Sequence, residues 1–138
     1  MYLLGFPLLI IPFAIYNIVA LILAQPDTIW TTEAASVPMT SGEVWKLTWE
    51  DIIVAGSILL LWVEVIKSTR IGVRAIIDHV LSMILFVAML IEFLLVKAAG
   101  TSTFFLLLII SMVDVLAGFI ISIRSSQRQV EVETAAKI

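Results

Sequence analysis

Four stretches of this chain are apolar and long enough to sit in hydrocarbon: roughly Leu3 to Ala24, Ile52 to Ile66, Ala75 to Val96 and Thr103 to Ile123. A helix needs about 20 apolar residues to cross a ~30 Å bilayer core. The second run is short by that measure. Trp45 and Trp49 precede it and suit the membrane interface, so its helix is expected to begin near Trp49. Hydrophobic residues fill 62 % of the 138 positions and charged residues only 14 %, more apolar surface than a soluble domain of this size can hide. The expected fold is an all-α membrane protein, a four-transmembrane-helix bundle in a single membrane domain over 1–138. Its spans are expected at about 3–24, 49–67, 75–97 and 102–124.

The first run invites comparison with a secretory leader, because "LILAQ" at 21–25 offers a small residue for cleavage. No Lys or Arg precedes the run, and it is longer than an ordinary leader core, so a retained helix is expected. Pro7 and Pro12 lie within it. Proline cannot donate to the preceding turn, which predicts a kink or a late helix start.

Basic residues give the direction of threading. The connection "KSTRIGVR" carries Lys67, Arg70 and Arg74, and the tail carries Arg124, Arg128 and Lys137. The first loop carries Lys46 against Asp27, Glu33, Glu43, Glu50 and Asp51, and the third carries Lys97. Short basic loops stay in the cytoplasm. Both termini, the 67–74 connection and the tail at 125–138 are therefore expected on the cytoplasmic side of a bacterial inner membrane. The loop at 25–48 is expected outside.

That outer loop is too long for a simple connection. Within "ASVPMTSGEVWKLTW", Trp45, Leu47 and Trp49 alternate with Val44, Lys46 and Thr48, the period of a strand. The pattern predicts a small extracytoplasmic β-hairpin turning at Ser41-Gly42 and lying over the helices. It reads either as a lid or, through Trp45 and Trp49, as a docking surface. The polar tail is expected to prolong the last helix briefly and then loosen.

Asp114 stands in the middle of "FFLLLIISMVDVLAGFIISI", ten residues and so about 15 Å from Arg124. A central Asp costs about 2.5–3.5 kcal/mol on insertion, while each Leu, Ile, Val or Phe returns roughly 0.3–0.6. The span still inserts, with its carboxyl turned toward protein or water. Ser111, Asp114, Gly118 and Ser122 share one helical face, and small or hydroxyl side chains there suit helix packing. The third span has a comparable line through Asp78, Ser82, Leu85, Met89 and Glu92. Asn17 matches Asp114 in depth and is the expected donor to it. Asp114 reads either as a group on an ion pathway or as a structural carboxyl that holds the helices in register. Glu92 is expected to meet water, Lys97 or the first loop.

At the cytoplasmic end, Glu64 and Lys67 are three residues apart and Arg74 and Asp78 four, so each pair can meet on its own helix. Glu64 can also reach Arg74, and His79 follows directly. The cluster reads as a pin for the connection and an anchor to anionic lipid headgroups. The alternative is a phosphate or headgroup site, with Arg70 and Arg74 as ligands and His79 as a proton-transfer group.

The chain has no cysteine and one histidine. Disulfides, thiol catalysis, thiolate metal sites and bis-histidine haem within one chain are thereby excluded. No cofactor, metal site, catalytic set or nucleic-acid partner is expected.

The stretches "LLLWVEVIKSTRIGVRAIIDHVLS", "EFLLV", "STFFLLLIISMVDVLAGFIISI" and "PLLIIPFAIYNIVA" resemble small four-helix bacterial inner-membrane proteins of no assigned activity. The resemblance implies the fold and location, and no reaction. Small multidrug transporters carry a glutamate inside the first helix, which this first span lacks. The glycine- and arginine-bearing signature of fluoride channels is also missing. The expected role is non-enzymatic: association through the lipid bilayer, as a homo-oligomer or as an accessory subunit of a larger membrane complex. The alternative is a small proton or ion channel or transporter using Asp114.

Overall fold

The computed structural model describes residues 5–23, 26–70 and 72–138. The chain is mostly helical. In order it forms α1 (Ile10–Leu23), α2 (Pro26–Trp30), β1 (Glu33–Pro38), β2 (Val44–Thr48), α3 (Trp49–Ser68), α4 (Val73–Leu95), a 3-10 turn at Lys97–Ala99 and α5 (Ser102–Ala136). Two helices, α4 and α5, are long and apolar enough to cross a membrane. Helix α3 has 20 residues but carries Glu50, Asp51, Glu64 and Lys67, and α1 has only 14.

Helix α1 starts late. Its first-turn N–H groups need no intrahelical partner, so Pro12 is tolerated there. The preceding residues form turns, with Ile10 N–H donating to Pro7 O at 3.2 Å and Ile11 N–H to Leu8 O at 3.0 Å. The beginning of the first apolar run, at 1–4, lies outside the described residues, as do Ala24, Gln25 and Ile71.

The start of α3 is fixed by a capping box. Thr48 Oγ1 accepts from Asp51 N–H at 3.3 Å, and Thr48 N–H donates back to Asp51 Oδ2 at 2.9 Å. Gly72, at φ 137°, turns the chain from α3 into α4. Thr101 caps α5, accepting from Phe104 N–H at 3.1 Å.

Helix α5 runs between α3 and α4 and makes the main helix contacts with both. Each helix buries residues at spacings of three, four or seven, one helical face. On α3 these are Ile53, Ser57, Glu64 and Lys67; on α4, Asp78, Ser82, Leu85 and Met89. Helix α5 buries a wider stripe from Thr103 to Gly118, because it has two neighbours to cover. Outward faces are apolar: Trp62, Leu59, Ile76, Leu94 and Leu95 are all at least 65 % exposed.

The hairpin pairs β1 with β2 in antiparallel register, with Val37 opposite Trp45 and Pro38 opposite Val44. Gly42, at φ 91°, makes its turn. It does not cover the helices as expected. Trp45 and Trp49 are about half exposed, and only Ala34, Leu47 and Thr48 of the two strands are partly buried. The covering residue is Trp30 of α2, 4 % exposed and stacked on Tyr16 at 5.2 Å between ring centroids. The tail also departs from expectation, remaining helical to Ala136. Residues 124–136 contain no Gly or Pro, and helix-favouring Arg, Gln, Glu and Ala make up much of the segment.

Candidate functional site

The most unusual feature of the interior is a charged cluster where α3, α4, α5 and the turn before α1 meet. Lys67 is at its centre, only 6 % exposed, and its ammonium group has three acceptors. Nζ lies 3.0 Å from Glu64 Oε2, 3.1 Å from Asp78 Oδ2 and 2.9 Å from Phe6 O. The other Glu64 oxygen, Oε1, accepts from Leu8 N–H. The two ends of one α3 ion pair thus satisfy a carbonyl and an amide of the non-helical turn before α1. Such backbone groups cannot be left unpaired in an apolar interior, which gives a physical reason for charged residues on the inward face of α3.

Asp114 joins this cluster from α5. It is 4 % exposed, hydrogen-bonds with the Ser82 hydroxyl and lies in the field of Asp78 and Lys67. Asp78 Oδ1 is buried without a hydrogen-bond partner among the described residues. Two carboxylates therefore share one ammonium group directly, and a third carboxyl group lies in its field.

Several expected pairings are corrected by this arrangement. Asn17 does not meet Asp114. Its amide donates to Glu92 Oε2 at 3.3 Å and to Phe13 O at 3.2 Å, because α1 presents Asn17 to α4 rather than to α5. Glu92 accordingly meets Asn17 instead of Lys97 or the first loop. Arg74 pairs with neither Asp78 nor Glu64. It is exposed, and Lys67 holds both carboxylates from the buried face of α3. Lys67 is consequently no headgroup anchor. Ser111, Asp114 and Gly118 are buried within the chain, whereas Ser122 is exposed. The part of the small-residue stripe offered for packing is thus taken up by α3 and α4.

Gly118 has a specific neighbour. A Cβ at this position would lie 2.5 Å from His79 Nδ1, so the absent side chain lets the imidazole approach α5 closely. His79 Nε2 is buried with no hydrogen-bond partner among the described residues. Beside it opens a cleft of about 340 Å³ between the α3–α4 turn and α5, lined among others by Arg70, His79, Ser122 and Ser125.

The opposite end of the interior is aromatic. Tyr16 is fully buried, donates its hydroxyl to Ala98 O at 2.8 Å and meets Thr101 Oγ1 at 2.6 Å. Phe104 packs edge-on against it at 4.9 Å between centroids. Neither Trp30 nor Thr101 lies in a sequence motif that marks it for this site. The only sequence signal was a Pro-led pentapeptide ending in an aromatic residue, "PDTIW". Among the described residues no group of His, Asp and Glu is arranged to hold a metal ion. Comparison with family models, curated proteins and solved structures gives no match.

Proposed function

We propose that this chain is an integral inner-membrane protein, a four-span bundle with both termini cytoplasmic, which acts without catalysis by associating with itself or with a larger membrane complex. The distribution of surfaces carries this reading. Glu64, Lys67 and Asp78 are turned inward and paired, while the outer faces of α3, α4 and α5 present large apolar side chains suited to lipid. The hairpin is left outside both environments. Val37 and Trp45 face each other across its strands, 42 % and 51 % exposed, and Met39 and Val44 are exposed beside them. A two-stranded hairpin with two free edges and an apolar face gains little stability by itself, which favours a docking role over a lid.

The test is purification of the full chain in mild detergent, with identification of co-migrating chains. Copies of itself or a fixed set of other subunits are expected, and Trp45→Lys should release them. A wild-type chain that is strictly monomeric and unaccompanied in detergent and in native membranes would remove the reading.

Ion or proton transfer through Asp114 is a second reading, favoured by the excess of carboxyl groups around Lys67 and the unpartnered Asp78 Oδ1. Weighing against it is an apolar belt of Leu85, Met89, Phe104, Leu107 and Leu108 in the core. In liposomes this reading requires a flux whose pH dependence changes in Asp114→Asn; absence of flux under any gradient rejects it.

A further inference from the structure

The cleft beside His79 has a lining chemistry that the association reading does not use. Its walls carry Arg70, His79, Ser122, Ser125, Ser126 and Gln129, and among the described residues no carboxylate lines it. Arg70 has no salt bridge among the described residues, although the chain has more acidic than basic side chains. Asp78, next in sequence to His79, and Glu64 are both committed to Lys67, and Glu133 lies in a neighbouring cleft that shares Ser125 and Gln129. Ser126 donates to Ser122 O at 3.0 Å, whereas the side chains of Ser122, Ser125 and Gln129 have no partner within the described residues. One wall is the start of α4. There Gly72 provides no side-chain cap, and the first turn contains no acidic residue. Its leading N–H groups add partial positive charge to that wall.

A guanidinium, an imidazole, free hydroxyls and a helix start thus converge on a space of about 340 Å³, at the small end of the range for ligand sites. The ligand chemistry such donors select is a compact oxyanion. A second cleft of about 360 Å³ shares His79, Ser122 and Ser126 and continues along Phe119 and Ile123, two exposed apolar residues. The polar space therefore opens onto an apolar flank. We propose that the cleft binds a phosphate group, with Arg70 as its charged ligand, His79 and the α5 serines as hydrogen-bonding partners, and the Phe119–Ile123 flank receiving an attached apolar chain. Arg74, expected from the sequence to act beside Arg70, is not part of the lining.

The phosphate can belong to an anionic phospholipid or to a soluble phosphate ester, and the experiment separates the two. Purified full-length chain is placed in nanodiscs of phosphatidylcholine containing a minority of phosphatidic acid, and lipids retained after release are counted by native mass spectrometry. One phosphatidic acid per chain is expected, retained at least about tenfold less by Arg70→Gln and unchanged by Arg124→Gln, which lies off the cleft. Both arginines are exposed, so neither change threatens folding. If the site serves soluble phosphate esters, millimolar glycerol phosphate will displace the lipid from wild type; if it serves lipid, displacement fails. Equal losses in the two arginine variants, or no preference for phosphatidic acid and no binding of glycerol phosphate, would overturn the assignment. A monomeric chain is sufficient for this measurement, so failure of the association reading leaves it intact.

Discussion

Replacing Lys67 with Met keeps the side chain's length and apolar body while removing the only ammonium in the charged cluster among the described residues. The ammonium and the two carboxylates it joins are almost fully enclosed: the side chains of Lys67, Glu64 and Asp78 are 5 %, 2 % and 10 % exposed. Solvent screening therefore offers little relief. Removing one member of a buried ion pair costs about 3–5 kcal/mol, chiefly because the remaining charge is left without a counter-charge. Here two carboxylates lose their direct partner, and Phe6 O loses its donor. The expected cost is at the upper end of that range. Lys46 provides the internal control. Its bridge to Glu33 is 3.6 Å long, with side chains 72 % and 43 % exposed, and such pairs contribute about 0–1 kcal/mol. The assay is equilibrium unfolding in mixed micelles, followed by tryptophan fluorescence, with Lys67→Met and Lys46→Met compared under identical conditions. Adding Glu64→Gln and Asp78→Asn to Lys67→Met should recover part of the loss, because the two carboxylates that lost their direct partner are then neutral. If Lys67→Met costs no more than Lys46→Met, or if neutralising the acids worsens it, the ammonium is not what stabilises this cluster.

Gly118→Ala should destabilise by about 1–3 kcal/mol, since the new methyl group would lie 2.5 Å from His79 Nδ1. The cost should shrink in a His79→Ala background, and a double-mutant cycle on unfolding free energies measures the coupling. Tyr16→Phe should cost about 1–3 kcal/mol through loss of the hydroxyl's bonds to Ala98 and Thr101, with no change in ring packing. Trp30→Ala should cost more, about 3–5 kcal/mol, by emptying the space against Tyr16, whereas Trp45→Ala should scarcely alter unfolding. Thr48→Ala should cost about 1 kcal/mol by removing half of the α3 capping box, measured by the same titration. Reporter fusions at Gly42 and after Ile138 should report opposite sides of the membrane.

The apolar runs and the punctuation between them were legible because they depend on local sequence. Trp49 opens α3 as its interface position suggested, and the hairpin turns at Gly42, where positive φ suits glycine. The buried line Asp78–Ser82–Leu85–Met89 on α4 follows directly from helical spacing. Spacing along one helix identifies a face, but it does not say which neighbouring helix that face meets or at what height. For this reason Asp114 and Asn17, matched in depth, were expected together, while the packing of α5 against α4 sets Asp114 against Ser82. Arg74 was an equally good partner for Asp78 by sequence distance. A long Lys67 side chain on the inward face of α3 reaches it instead and also holds the backbone before α1. Trp30 and the Gly118–His79 contact were likewise decided by tertiary packing, because each joins groups from separate elements whose relative rotation no local pattern encodes. The sequence by itself determined the apolar helices, the start of α3 at Trp49 and the buried line of α4, because these follow from propensity and periodicity. Which charges meet, and which glycine must stay bare, was settled only when the helices packed at one rotation and height.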